Sequence, residues 1–171
     1  MPAIFFALIS YLGWGIGDIF GTIATRRIGA YATSFWGYSF AFPIESLYIP
    51  FAIQDLTKLT PGILILNLFL GLLLLGAFVI FNEALRVGNA SLVGAISASF
   101  GALVVLFSIL FLGESINSKQ IISILIIFLG VVFCSLNFKE LKHKFALDKG
   151  VLLAIIAMLC WGIYFTFIKI L

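Results

Sequence analysis

The sequence predicts an all-α, polytopic membrane protein with six transmembrane helices. Composition is the first reason, since 63% of the 171 residues are hydrophobic, 10% are charged, and the mean hydropathy is +1.25. A soluble domain is about half apolar and about one quarter charged, so this surface needs lipid as its solvent. The second reason is a series of six uncharged runs, each near the roughly 20 residues that cross a bilayer. Only helices satisfy their own backbone groups there.

The spans can be assigned in order from the charges that close them. The first ends at Arg26 and Arg27, the third at Arg86, and the fourth before Glu114. The first run lacks a basic start and continues past Asp18, so it is a span and not a signal peptide. The predicted spans are residues 3–24, 31–53, 62–85, 90–112, 120–138 and 150–168.

The first and last spans resemble each other. Residues 7–20 (ALISYLGWGIGDIF) and 154–167 (AIIAMLCWGIYFTF) share seven of fourteen positions, including a Trp-Gly-Ile triplet. Internal repeats of this length are typical of secondary transporters. The predicted parts are a five-helix repeat at 1–138, a charged inter-repeat loop at 139–149, and the first helix of a truncated second repeat at 150–171.

Basic residues divide unevenly between the two ends of the spans. Alternating spans put seven on one face and three on the other, which places the first face in the cytoplasm and the N-terminus outside. The first group is Arg26, Arg27, Arg86, Lys139, Lys142, Lys144 and Lys149, and the second is Lys58, Lys119 and Lys169. No basic patch interleaves with aromatic residues, so nucleic-acid binding is excluded.

One stripe of the first span combines aromatic, hydroxyl and carboxylate groups. Helical spacing brings Tyr11, Trp14, Asp18 and Thr22 together, in a pattern that suits the lining of a substrate path. Ionisable groups inside a membrane are costly and mark functional sites by default. The acid is expected to bind a cation or to alternate between proton and substrate. The alternative is an acid near the end of its span that extends toward Arg26.

A second stripe in the second span contains Tyr38 and Glu45, the latter between Pro43 and Pro50. Proline removes a helical hydrogen bond, so this span is predicted to be kinked or interrupted. Interrupted helices often form transporter sites. The alternative is a purely structural kink, with Glu45 bonded locally or extending outward. Asp18 and Glu45 lie toward opposite membrane faces and are not expected to pair.

Small residues at four-residue spacing predict helix-packing faces, because small side chains let backbones approach closely in lipid. They are Gly13, Gly17 and Gly21 on the first span, and Gly94 and Ala98 on the fourth.

Other polar residues point to structure more than to chemistry. Glu83 and Arg86 are spaced for a local ion pair. Cys134 and Cys160 lie in apolar segments and are expected to pack, while His143 lies in the charged loop. The sequence contains no catalytic triad, HExxH, CxxC or phosphate-binding loop, so no enzyme, cofactor or metal site is predicted.

Several motifs resemble the EamA-type family of the drug/metabolite transporter superfamily. Residues 81–93, FNEALRVGNASLV, are similar to the turn between that family's third and fourth helices. Leu112-Gly113-Glu114 is similar to the turn between the fourth and fifth. The Trp-Gly pairs of the first and sixth spans match the family's opening helix.

The resemblance implies a ten-helix transporter of two inverted five-helix repeats, moving small metabolites or drugs through a central cavity without ATP. Related small multidrug exporters use an acid in their first helix, where Asp18 lies. Three departures are clear: Ser99-Phe100-Gly101 stands where a proline is common, Phe165 replaces Asp18 in the second copy, and four helices of the second repeat are missing. Family members usually keep the N-terminus in the cytoplasm, opposite to the charge count.

The leading hypothesis is therefore an exporter or exchanger of small metabolites or drug-like solutes in a cell membrane, present as an incomplete chain. The alternative is a non-transporting membrane subunit, or helix-packing partner, of a membrane complex. The partners expected are the lipid bilayer, a small-molecule substrate, and a second copy or the missing second repeat.

Overall fold

The computed structural model describes residues 2–51, 53–135 and 148–170, and its regular elements are all helical, which confirms the all-α prediction. The helices are α1 (Pro2–Ile28), α2 (Ala30–Ser46), α3 (Ile53–Leu56), α4 (Pro61–Val87), α5 (Ala90–Ala98), α6 (Phe100–Leu112), α7 (Ser118–Ser135) and α8 (Lys149–Phe167). Single 3-10 turns follow α2 at Ile49–Phe51 and α8 at Ile168–Ile170.

Each predicted span overlaps at least one described helix, the fourth overlaps both α5 and α6, and the helices differ in length. Four helical stretches of the described chain are long and apolar enough to cross a membrane: Phe5–Ile28, Pro61–Val87, Ala90–Leu112 and Lys149–Ile170. The 17-residue α2 and the apolar stretch Ser118–Gly130 of α7 are shorter. The chain is thus a multi-pass membrane protein, while the count of six spans stays a prediction.

The second span is shorter than the predicted residues 31–53, and proline chemistry explains where it ends. Helix α2 accommodates Pro43 in its interior and ends at Ser46. Ser46 is four residues before Pro50, which has no N–H to donate to the Ser46 carbonyl and would clash with it in a continuing helix. The predicted interruption is therefore found at Pro50, within the 3-10 turn.

Helix α5 passes into α6 through a turn at Ser99 that is tighter than a regular α-helical turn. The N–H of Ala102 donates to the Ser99 carbonyl at 3.0 Å, a three-residue spacing, and the Ser99 hydroxyl donates to the Ala95 carbonyl at 2.9 Å. A serine that bonds back to its own helix competes with the regular ladder and bends it. The fourth span is therefore interrupted near its middle without a proline.

Turn residues fix the two loops that carried the family resemblance. Asn89 begins α5, its side-chain oxygen accepting from the Ser91 N–H at 3.1 Å and the Ser91 hydroxyl at 2.7 Å. Gly113 ends α6 in the left-handed region at φ 66°, which glycine adopts without steric cost. Sequence-local chemistry thus sets the ends of the fourth span.

The core lies between α4 and α8, with α5 and α6 packed against the other sides of α8. Alanines fill much of the α4–α8 contact, since Ala77 and Ala84 of α4 and Ala154 and Ala157 of α8 are fully buried. Small side chains let helices approach closely, and close packing replaces the hydrophobic effect as the main attraction in lipid. Helices α1 and α2 pack against α4 and against each other.

Contacts at the helix ends show the relative directions of α1, α4 and α8. The Arg26 guanidinium at the end of α1 donates to the carbonyls of Leu85 (3.2 Å) and Gly88 (3.1 Å) at the end of α4. Gly88 in turn lies against Gly150 at the start of α8. The carboxyl ends of α1 and α4 and the amino end of α8 therefore share one end of the bundle.

The opposite end is joined by Lys169, whose ammonium donates to the Ser108 hydroxyl at 3.1 Å and to the Glu114 carboxylate at 3.3 Å.

The predicted pair of Glu83 and Arg86 is confirmed, with both guanidinium contacts at 2.7 Å. The predictions for the Cys134 side chain and for residues 139–147 of the charged loop, His143 included, lie outside the described residues.

Candidate functional site

A cavity of about 480 Å³ opens between α1 on one side and α4, α5, α6 and α8 on the other. Its volume is in the range of about 300–1,000 Å³ that is usual for small-molecule pockets. All five helices belong to stretches that are long and apolar enough to cross a membrane.

One stripe of α1 forms the first wall. The residues of this wall are Ser10, Tyr11, Trp14, Gly15 and Asp18. They recur at intervals of three and four along the helix, which places them on one face. The structure thus brings Tyr11, Trp14 and Asp18 together on the cavity, as members of one continuous surface.

The facing wall is aromatic and centres on Trp161 of α8. Its indole ring lies 5.3 Å from the ring of Phe78, 5.1 Å from Phe81 and 5.8 Å from Phe100, between centroids. Phe165 stacks on Phe100 at 5.0 Å with an interplanar angle of 21°. Aromatic pairs at 4.5–7 Å hold one another in fixed orientations, so this wall is preformed.

The two related segments of the sequence face each other across the cavity. Trp14 and Trp161 occupy corresponding positions of the repeat, as do Asp18 and Phe165, and all four line the cavity. The ring of Phe78 lies 6.4 Å from Trp14 and 5.3 Å from Trp161. The walls therefore share a scaffold and differ in charge, because α1 carries a carboxylate at the repeat position where α8 carries a phenyl ring.

Helix α5 contributes small residues to the cavity, namely Gly94, Ser97 and Ala98. The Ser97 hydroxyl and the Trp161 indole N–H are buried and have no hydrogen-bond partner among the described residues. An unpaired buried donor costs about 1–3 kcal/mol, and such groups call for an explanation in a well-packed protein. Both residues belong to the cavity lining, and these two polar atoms are covered by the surrounding side chains.

Asp18 is the one formally charged side chain among the described residues that line the cavity. The sequence left open whether it extends toward Arg26. The guanidinium of Arg26 instead bonds the end of α4. The Thr22 hydroxyl donates to the backbone carbonyl of Asp18 at 2.7 Å, and the Asp18 carboxylate makes no hydrogen bond or ion pair with the residues that the structure describes.

The other predicted path residues lie elsewhere. Thr22 makes that local helix bond and is absent from the described cavity lining, as are Tyr38 and Glu45. Tyr38 packs edge-on against Phe78 at 5.7 Å, and Glu45 is exposed near the end of α2. The structure therefore brings Tyr11, Trp14 and Asp18 of the α1 stripe to the cavity, and Thr22 and the α2 stripe are not part of its described lining.

The predicted packing glycines make no close contacts between the described helices. A Cβ placed on Gly13, Gly17, Gly21 or Gly94 would meet no described atom within 4 Å. Gly94 and Ala98 instead give the cavity its width at α5. The packing role of the α1 glycines stays a prediction for contacts beyond the described residues.

Sequence reasoning missed a buried polar junction of α1, α2 and α4. The Asn82 side-chain amide donates to the Ser34 hydroxyl at 2.9 Å, and the Thr25 hydroxyl donates to the Asn82 carbonyl at 3.1 Å. Asn82 is 8% exposed and Thr25 is fully buried. The sequence feature that could have indicated this junction is the amide side chain of Asn82 within an apolar span. A search for ionisable groups does not select it, because an amide carries no charge.

Comparison with known proteins gives one family match. The family model described as the EamA-like transporter family matches residues 1–136, which include α1 to α7. No curated protein and no solved structure matches the chain.

Proposed function

The chain belongs to the EamA-like transporter family, and from this membership we infer that it moves small solutes through the cavity between α1 and α8. The resemblance seen in the sequence is thus confirmed at the level of the family. The observation that carries the proposal is a small-molecule cavity, lined by a carboxylate and an aromatic wall, inside helices that cross the membrane.

The position of Asp18 supports a path in preference to a packing interface. A charge within a membrane span is costly unless it is paired or faces water. No basic side chain lies among the described residues of the cavity lining. A carboxylate that contacts a passing solute or water accounts for the charge, whereas an interface between apolar helices does not.

We propose further that α8 begins a second repeat and that transport is secondary, as export or exchange. The sequence likeness of α1 and α8 supports this, and so does the place of Trp14 and Trp161 on facing walls. In inverted-repeat transporters the substrate lies at the interface of the repeats. Helices of the second repeat would then complete the cavity on its open side.

A blocking substitution tests the path. Gly94→Phe places a ring in the cavity, and Gly71→Phe is the matched control, because Gly71 is exposed on α4 and has no described atom within 4 Å of a Cβ. Both proteins and the parent are reconstituted into liposomes. Uptake of labelled leucine, tryptamine and uridine is then measured.

The expected result is uptake of at least one solute above protein-free liposomes, abolished by Gly94→Phe and retained by Gly71→Phe at equal reconstitution. Uptake that persists with Gly94→Phe would show that solutes do not pass through this cavity. Absence of uptake for all three solutes by the parent protein would favour the alternative, a non-transporting membrane subunit.

A further inference from the structure

We propose that the cavity binds monovalent organic cations with a flat apolar body, the charged group lying at Asp18 and the ring against the wall around Trp161. The inference deepens the proposed function by naming a substrate class, and it rests on that function for the claim that the bound cation is then transported. The binding step itself stands on the chemistry of the two walls.

The charge of the cavity selects the sign of the ligand. Asp18 is the sole formally charged group among the described lining residues, so the described walls carry a net charge of about −1 when it is ionised. Opposite charges attract more strongly in a low-dielectric surrounding than in water. A monovalent cation balances this charge, whereas a dication leaves an excess and an anion is repelled.

The facing wall selects the shape. The partly exposed, stacked rings of Phe100 and Phe165 line the same cavity as the carboxylate, together with the largely buried ring of Trp161. A flat ring stacks on such a surface, and a cation within about 6 Å of an aromatic face gains further attraction, most strongly over tryptophan. Trp14, one turn before Asp18 on α1, adds a second indole beside the expected position of the charge.

The asymmetry of the repeat fixes how the ligand lies. Phe165 takes the place of Asp18 in the second copy, so the two ends of the cavity are not equivalent. The charged group of a ligand is held at α1 and its apolar body at α8. A volume of about 480 Å³ holds one molecule with two fused rings and a small ammonium group.

The test is direct binding to the full chain in lipid nanodiscs. The probe is radiolabelled naphthylmethyl-trimethylammonium. Three unlabelled competitors separate the contributions: tetramethylammonium has the charge alone, naphthylmethanol has the ring alone, and naphthylacetate has the ring with a negative charge. Asp18→Asn removes the carboxylate, Asp18→Glu retains it, and Asp148→Asn is the matched control. Asp148 is exposed at the start of α8 and makes no side-chain capping bond.

The expected result is saturable binding at one site per chain. Asp18→Asn should weaken it by about tenfold or more, since it removes an attraction made in a low-dielectric cavity. Asp18→Glu and Asp148→Asn should stay within about threefold of the parent. The cation with the ring should compete better than any of the three unlabelled competitors.

Three results of the variant and competition experiments would overturn the inference. The first is equal binding by the parent and by Asp18→Asn, with unchanged helical content in both. The second is competition by naphthylacetate or naphthylmethanol that matches the cation. Because Asp18→Glu keeps the charge, a loss of binding in both Asp18 variants also counts against the proposed contact.

The outcomes distinguish this inference from the transport proposal. Cation binding that depends on Asp18, with no uptake in liposomes, supports the site and contradicts transport. Uptake of leucine or uridine that Gly94→Phe abolishes, without cation binding, supports transport and contradicts the proposed substrate class.

Discussion

Gly150 lies so close to Gly88 that a Cβ added to Gly150 would stand 2.6 Å from the Gly88 Cα. The approach is reciprocal, because a Cβ on Gly88 would stand 3.0 Å from the Gly150 Cα and 2.9 Å from the carbonyl oxygen of Ala84. The end of α4 and the start of α8 thus touch backbone to backbone, which fixes the crossing point of the two core helices.

Gly150→Ala is therefore expected to destabilise the protein. Alanine is the better helix former by about 0.8–1 kcal/mol, but overpacking typically costs about 1–3 kcal/mol, so the clash is expected to prevail. The expected net loss is about 1 kcal/mol in the free energy of unfolding. Circular dichroism during unfolding in mixed micelles measures it. Gly71→Ala, on an open face of α4, should be neutral or stabilising, and equal stability of both variants would show that the close approach is not maintained.

The Asn82–Ser34 hydrogen bond should show energetic coupling between α2 and α4. Interhelical hydrogen bonds in a membrane protein average about 0.6 kcal/mol in double-mutant cycles and reach about 1.7 kcal/mol. A cycle of Asn82→Ala with Ser34→Ala is expected to fall in this range. Ser39 lies exposed on α2, the helix that carries Ser34. The effects of Asn82→Ala and Ser39→Ala on the free energy of unfolding should therefore be additive. Additivity in the first cycle would mean that the bond contributes nothing.

Arg26 should contribute to stability, whereas its neighbour Arg27 should not. The Arg26 guanidinium bonds the Leu85 and Gly88 carbonyls at the end of α4, where a positive charge also favours the helix dipole. Arg26→Gln is expected to cost about 0.5–1.5 kcal/mol, a value kept low because part of the contact is exposed.

Arg27→Gln is the matched control, because Arg27 is exposed and makes no hydrogen bond or ion pair with the residues that the structure describes. It should change stability by less than about 0.5 kcal/mol. Thermal unfolding of the two variants in the same detergent gives the comparison, and equal effects would argue against a specific role for Arg26.

A cysteine placed in the proposed path should react with a charged, membrane-impermeant thiol reagent. Thiols react as thiolates, which form in water and not in lipid. In a background with Cys134 and Cys160 replaced by serine, Ala98→Cys on the cavity is expected to react about tenfold faster than Gly71→Cys on the open face of α4. Equal and slow labelling of both would indicate that water does not enter the cavity.

The helices could be predicted from the sequence because lipid leaves the backbone little choice, and turn residues such as Asn89 and Gly113 mark their ends. The α1 wall was also predictable, since Tyr11, Trp14 and Asp18 share a face through helical spacing alone. The facing wall was not, because it depends on which side of α8 packs against α4. The position of Glu45 likewise depends on how α2 packs against α4, so the sequence could not show that Glu45 lies away from the cavity.

The contact of Phe78 with both Trp14 and Trp161 has a mechanical meaning. One side chain of α4 serves as a spacer between the two related helices, with ring centroids 6.4 and 5.3 Å away. The distance between Trp14 and Trp161 therefore depends on the size of this phenyl ring. Exchange of this single residue for a smaller or larger one would rescale the cavity and leave the Asp18 carboxylate and the rings of Trp14 and Trp161 in place.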